Sequence, residues 1–144
     1  MRTVARESTD GTNGGCLCGK ISYVLTANPL VTAICHCTHC QKQSGSAFSV
    51  NLVVRREDLK ISGALSTFED QADSGALIHR RFCGSCGSPI VTEPLDNLEI
   101  TYLKAGTLDH GHGIVPTVEI WCASAQPWWT SDAPLQGFAR NIPV

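Results

Sequence analysis

The sequence predicts an all-β or β-dominated fold built from short antiparallel strands, and three observations predict it. Gly, Pro, Asn and Asp interrupt the chain at roughly 8- to 12-residue intervals, the rhythm of strands joined by turns. The segments between them alternate apolar with polar residues or are rich in β-branched and aromatic ones. Seven of the eight cysteines fall in three tight groups whose spacing suits metal ligation, so loops can be clipped by a metal.

The elements follow in order. Residues 1–13 are polar and read as a frayed arm, and residues 14–144 as one domain. Lys20–Thr26 sets Ile21, Tyr23 and Leu25 on one face of a strand. Thr38–Ser44 reads as a short helical turn, and Ala47–Val54 as a strand rich in Phe, Val and Leu. Further strands are expected over Leu59–Ser62, Ser66–Glu69, Ala76–Phe82, Ile90–Glu93, Leu98–Lys104 and Val115–Cys122, with a loop over Asp109–Gly113. Pro89, Pro94, Pro116 and Pro127 fall at strand starts or ends, where a missing N–H costs least.

Composition excludes some functions. A formal net charge of -2 gives no electrostatic footprint for nucleic acid or an anionic membrane. The N-terminus lacks the apolar stretch of a secretory signal, and no apolar run approaches the ~20 residues of a membrane span. The expectation is a cytoplasmic protein, where clustered cysteines serve metals or catalysis rather than disulfides. Cys-x-Cys pairs also bridge each other poorly, because a disulfide needs converging Cβ vectors.

The groups partition by ligand number. Cys83-Gly-Ser-Cys86 and Cys16-Leu-Cys18 are each followed by a glycine, which permits the positive φ that turns backbone N–H groups toward sulfur. Together they make a closed four-thiolate zinc site, which is scaffold. Cys35-His-Cys37-Thr-His-Cys40 puts three thiolates in six residues, and a zinc with three protein ligands keeps a position open. Such a site carries one net negative charge, against two positive charges for a three-histidine site. It acidifies water less and suits a soft incoming thiol, which zinc deprotonates. His36, His39 and Cys122 are alternative fourth ligands. A ribbon pairing Cys37 and Cys40 with Cys83 and Cys86 is another arrangement, but it strands Cys35. His79, His110 and His112 read as surface or packing residues, and Trp121, Trp128 and Trp129 as packing.

Three segments carry a resemblance: Gly14-Gly-Cys-Leu-Cys-Gly-Lys-Ile-Ser-Tyr23, Cys35-His-Cys-Thr-His-Cys-Gln-Lys-Gln-Ser-Gly-Ser-Ala-Phe48, and Arg81-Phe-Cys-Gly-Ser-Cys-Gly-Ser-Pro-Ile90. With Pro116–Trp121 and Pro127-Trp128, they make the chain resemble the glutathione-dependent formaldehyde-activating enzyme family, also called the CENP-V/GFA domain, over roughly residues 14–140. The resemblance implies a beta-tent type of fold and two zinc ions. It implies a structural ion on Cys16, Cys18, Cys83 and Cys86 and a catalytic ion on Cys35, Cys37 and Cys40. The implied reaction is addition of the glutathione thiol to formaldehyde, giving S-hydroxymethylglutathione. The chain departs from the family pattern at Glu119, where many members carry His; a pocket role for that position would bear on the substrate.

On this reading glutathione enters the open position as thiolate and attacks the aldehyde carbon, with His36 or His39 offered as proton donor. Gln43, Ser44 and Gly45 are candidates to cradle the peptide part of glutathione. Lys42, Arg80 and Arg81 can meet its carboxylates or simply offset thiolate charge. The alternatives are a non-catalytic zinc module on the same fold and an enzyme acting on a different thiol or electrophile.

Overall fold

The computed structural model describes residues 12–111 and 113–142. The strands are β1 (Thr12–Gly15), β2 (Ser22–Leu25), β3 (Val31–Cys35), β4 (Ser49–Arg55), β5 (Leu59–Ser62), β6 (Leu65–Gln71), β7 (Leu77–Cys83), β8 (Pro89–Pro94), β9 (Ile100–Lys104), β10 (Val118–Ile120) and β11 (Gln136–Gly137). One α-helix, α1 (Thr38–Ser44), falls where the helical turn was expected. The protein is β-dominated, and no helix among the described residues is long and apolar enough to cross a membrane.

Two sheets form. Strands β1, β2 and β5 make a three-stranded antiparallel sheet. The other eight strands make one sheet in the order β11-β10-β3-β4-β9-β8-β7-β6. It is antiparallel except where β10 runs parallel to both β3 and β11. The pleat sends successive side chains to opposite faces, and this divides the work of the large sheet. Leu52 and Val54 of β4, Leu103 of β9 and Val91 of β8 point to one face, where they meet Ile21 just before β2, Tyr23 and Leu25 of β2 and Leu59 of β5. Leu52 and Leu103 are fully buried there, and each such side chain contributes about 1.5–3 kcal/mol. The alternate residues of the same strands point the other way and floor a cavity.

Three strands escaped the expectation. In β3, Thr32, Ala33, Ile34 and Cys35 are all buried, so it shows no alternation to read. In β1, the expected boundary between arm and domain falls inside the strand, since Thr12 pairs with Leu25 and Asn13 with Val24. Its glycines permit close packing: a Cβ on Gly14 would overlap the Tyr23 ring and one on Gly15 the Ile21 carbonyl. Strand β11 is two exposed residues with no sequence signal. The strand expected over Val115–Cys122 is only Val118–Ile120, because Trp121 turns the chain at φ 57°, a left-handed conformation that costs a non-glycine residue about 1–2 kcal/mol. The rest of the arm and His112 lie outside the described residues.

Candidate metal centres and active-site cavity

The four sulfurs of Cys16, Cys18, Cys83 and Cys86 lie within 4.8 Å of one another. Cys16 and Cys18 Sγ are 3.7 Å apart, and Cys18 and Cys83 Sγ 3.8 Å. Zinc–sulfur bonds of ~2.3 Å in a tetrahedron give sulfur–sulfur edges of about 3.8 Å, so the donor set fits zinc. All eight cysteines are free thiols. The two hairpin corners are built alike. Gly19 at φ +86° and Gly87 at φ +82° close turns in which Gly19 N–H donates to the Cys16 carbonyl and Gly87 N–H to that of Cys83. Backbone N–H groups of Ile21 and Ser85 donate to Cys16 and Cys83 sulfur at 3.2 and 3.4 Å. Hydrogen bonding from Ser88, the largest influence on it, brings the Cys86 thiol down to about 5. Cys83 is buried in the main apolar core, against which Cys16 and Cys86 also pack. This cluster therefore ties the small sheet's first hairpin to the end of β7.

The second cluster sits on the opposite face. Cys35 ends β3, and Cys37 is the N-cap of α1, its sulfur accepting the Cys40 N–H at 3.2 Å where a serine or aspartate oxygen commonly does. One helical turn then returns Cys40, and the three sulfurs lie within 4.8 Å of one another. All three residues are buried, packed with Trp121 and Ile120. Among the described residues no fourth Cys, His, Asp or Glu joins them. Hydrogen bonds from Cys35 and Cys37 hold the Cys40 sulfur well below an ordinary thiol, burial opposes this, and Lys104 and Arg80 reinforce it. Cys35, bonded to Cys37 and Cys40, is pushed up in turn.

The three cysteines open onto a cavity of about 390 Å3. Its floor is a set of cross-strand rows: Ala33, Asn51 and Lys104 in one, and Val53, Tyr102, Thr92 and Arg80 in the next. Ile120 and Trp121 form part of the wall beside the cysteines. Trp121 donates its Nε1–H to Asn141 Oδ1 at 2.7 Å, and the Arg140 guanidinium lies 5.4 Å from its ring. Lys104 is 6% exposed and donates to Ser49 Oγ at 3.0 Å and Asn51 Oδ1 at 3.1 Å. Arg80 is 3% exposed; its Nε–H donates to Asp70 Oδ2 at 2.7 Å, while its Nη1 has no hydrogen-bond partner.

The alternative ligands fall elsewhere. His36 is fully buried but points away from the sulfurs: its Nε2 meets Glu119 Oε1 at 2.8 Å, and its ring packs on Phe48 and Trp129. His39 sits between Asp70 and Asp73, with ring nitrogens 2.8 and 3.1 Å from their carboxylates. Neither histidine lines the cavity, and each meets carboxylates rather than backbone carbonyls. Cys122 directs its sulfur at the Glu119 carbonyl, 3.7 Å away, outside both clusters. Cys37 and Cys40 keep company with Cys35, so the ribbon pairing does not form.

Two of the positions considered for the pocket lie outside this cavity's lining, the segment 43–45 and Glu119. Gln43, Ser44 and Gly45 are not among the cavity residues. They form the C-terminal turn of α1, where Gly45 takes φ 68° and Ser44 Oγ donates to the Gln41 and Phe48 carbonyls. Glu119 does not line the cavity either; Oε1 accepts from Trp129 Nε1 at 3.0 Å as well as meeting His36. Trp121, read as packing, is a cavity wall, whereas Trp128 is exposed. Lys104 escaped notice because a lysine at a strand end reads as solvated; only its pairing with Asn51 reveals it.

Comparison with known proteins agrees with this arrangement. The family model for the glutathione-dependent formaldehyde-activating enzyme matches residues 11–124. Proteins of Aspergillus flavus and Aspergillus oryzae, provisionally named glutathione-dependent formaldehyde-activating enzymes, are each 30% identical over 133 residues, covering 91% of this chain. The chain spans 66% of the length of each. A crystal structure of a Rhodobacter sphaeroides protein shares the fold, with a TM-score of 0.54 and 22% identity over 72% of this chain and 97% of that one. With residues 11–124 matched by the family model, well over half of the chain, this protein belongs to the glutathione-dependent formaldehyde-activating enzyme family.

Proposed function

We propose that residues 14–144 form a two-zinc enzyme of the carbon–sulfur lyase class that joins the glutathione thiol to formaldehyde or a related small aldehyde. The observation that carries this reading is the buried triad of Cys35, Cys37 and Cys40, open to a cavity and without a fourth side-chain ligand among the described residues. Cys16, Cys18, Cys83 and Cys86 would hold the structural zinc, and the triad the second. Bound there, zinc supplies a soft Lewis acid that keeps a cosubstrate sulfur deprotonated.

The chain's own residues do the rest. Ile120 and Trp121 shield the triad on one side, so that thiol and aldehyde meet in a partly dehydrated pocket. A sulfur–carbon bond forms, the carbonyl double bond becomes single, and the proton the thiol gave up ends on the product hydroxyl. Tyr102, a cavity residue with a hydroxyl, is the candidate to pass that proton. A reducing, cytoplasmic setting suits eight free thiols.

The test is an assay of zinc-loaded protein with glutathione and a panel of aldehydes, read against the uncatalysed addition. A rate above that background for formaldehyde, lost in Cys40→Ala, is expected. A rate equal to the background for every aldehyde would remove the enzymatic reading and favour a scaffold.

A further inference from the structure

Lys104 is a buried amine whose hydrogen-bond partners, Ser49 and Asn51, are both neutral; burial pushes its pKa down, and the nearby cysteine sulfurs act against that and favour the ammonium. A charge so placed requires a counter-charge, since an unpaired buried ion is costly. The other buried cation on the floor, Arg80, already has one in Asp70. The charged and ionisable groups whose fields Lys104 feels are Cys35, Cys37 and Cys40, together with the Arg80 guanidinium, which repels it. The acidic residues around the cavity, Asp73 and Asp96, belong to connecting loops, and neither is paired with Lys104.

We propose that Lys104 is a positioning residue that makes the three-cysteine centre selective for an anionic fourth ligand. This rests on the reading of that centre as an open zinc site. Three thiolates on a divalent ion leave one net negative charge, and a further anion would double it. The fixed ammonium, on the strand row next to Cys35, brings the three-thiolate centre to neutrality, so that an entering anion leaves one net negative charge instead of two. Arg80 also favours the Cys40 thiolate, but it is already paired with Asp70, whereas Lys104 has no carboxylate partner. Lys20, two residues from Cys18 in the first cluster, is by contrast exposed and donates to Ser85 Oγ. The ligand class that follows is a small anion or a thiolate, in preference to a neutral nitrogen base.

The probes are azide and imidazole, added separately to protein carrying cobalt in both sites, with binding followed by the cobalt absorption. Lys104→Met should bind azide about tenfold or more weakly than wild type, because one unit charge is removed from a largely buried site. Imidazole binding should be unchanged. Lys104→Arg should restore azide binding. If Lys104→Met fails to fold, Asn51→Asp, which neutralises the ammonium in place, should show the same selective loss. Equal losses for azide and imidazole, or no loss for either, would overturn the proposal. A wild-type centre whose spectrum responds to neither probe nor to glutathione would instead overturn the open-site reading on which the proposal rests.

Discussion

The two cysteine clusters use one ligand chemistry on opposite faces of the same sheet, and their surroundings differ. The cluster of Cys16, Cys18, Cys83 and Cys86 is complete in itself. It draws ligands 65 residues apart, receives backbone N–H groups and adjoins the main apolar core. The cluster of Cys35, Cys37 and Cys40 comes from one strand end and one helical turn, is one ligand short of a tetrahedron, and opens on a cavity with buried cations. The lesson is that ligand number alone does not assign a role. With metal bound, sequence separation would make the first cluster a fastener, while incompleteness and charge make the second a candidate reaction centre.

The largest effect should come from breaking the first cluster. Cys83→Ala removes a ligand and a core side chain together, and structural zinc contributes roughly 10–16 kcal/mol to folding in small domains. The variant should lack its native circular dichroism spectrum and be digested rapidly by protease. Cys37→Ala should behave oppositely. It loses the second metal and all spectral response to glutathione. The fold survives with a cost of about 1 kcal/mol for the missing cap of α1, seen as a small drop in Tm.

A smaller effect sharpens the boundary of the cavity. Glu119→Ala leaves the buried His36 Nε2 and the Trp129 Nε1 without their shared acceptor. It should destabilise the protein by about 1–3 kcal/mol in denaturant unfolding. Glutathione affinity should stay unchanged, because Glu119 does not line the cavity. The smallest effect is a pH dependence. Burial would raise the Asp70 pKa, but its hydrogen bonds from Arg80 and His39 outweigh that and lower it. A depressed folded-state pKa adds stability above the ordinary carboxylate value of about 3.9, and the gain is lost as pH falls through the folded value. The Tm difference between wild type and Asp70→Asn should therefore be present at pH 6 and shrink toward pH 3.

The cysteine groups were legible in the sequence because their spacing is local: Cys35-x-Cys37 and Cys83-x-x-Cys86 bring sulfurs together with little help from the fold. Most strands were legible too, since β4 and β9 alternate between core and cavity and β2 between core and more exposed positions. What stayed hidden depended on register. Val31–Cys35 is covered on both faces, so it carries no period. Asn51 and Lys104 are far apart in the chain and share a row only once β4 pairs with β9. The segment 43–45, read as a cradle, ends helix α1 and lies outside the cavity lining, because the same Gly and Ser that can bind a peptide also serve as helix ends.

The central claim is that one centre is closed and the other open. Graded chelator challenge of zinc-loaded protein tests it most directly, with released zinc, circular dichroism and glutathione-dependent activity read from the same samples. One equivalent should leave first, taking the activity with it while the β-sheet signal stays intact, and the second should leave only as the protein unfolds. Release of both ions together, or a first release that unfolds the chain, would contradict the account.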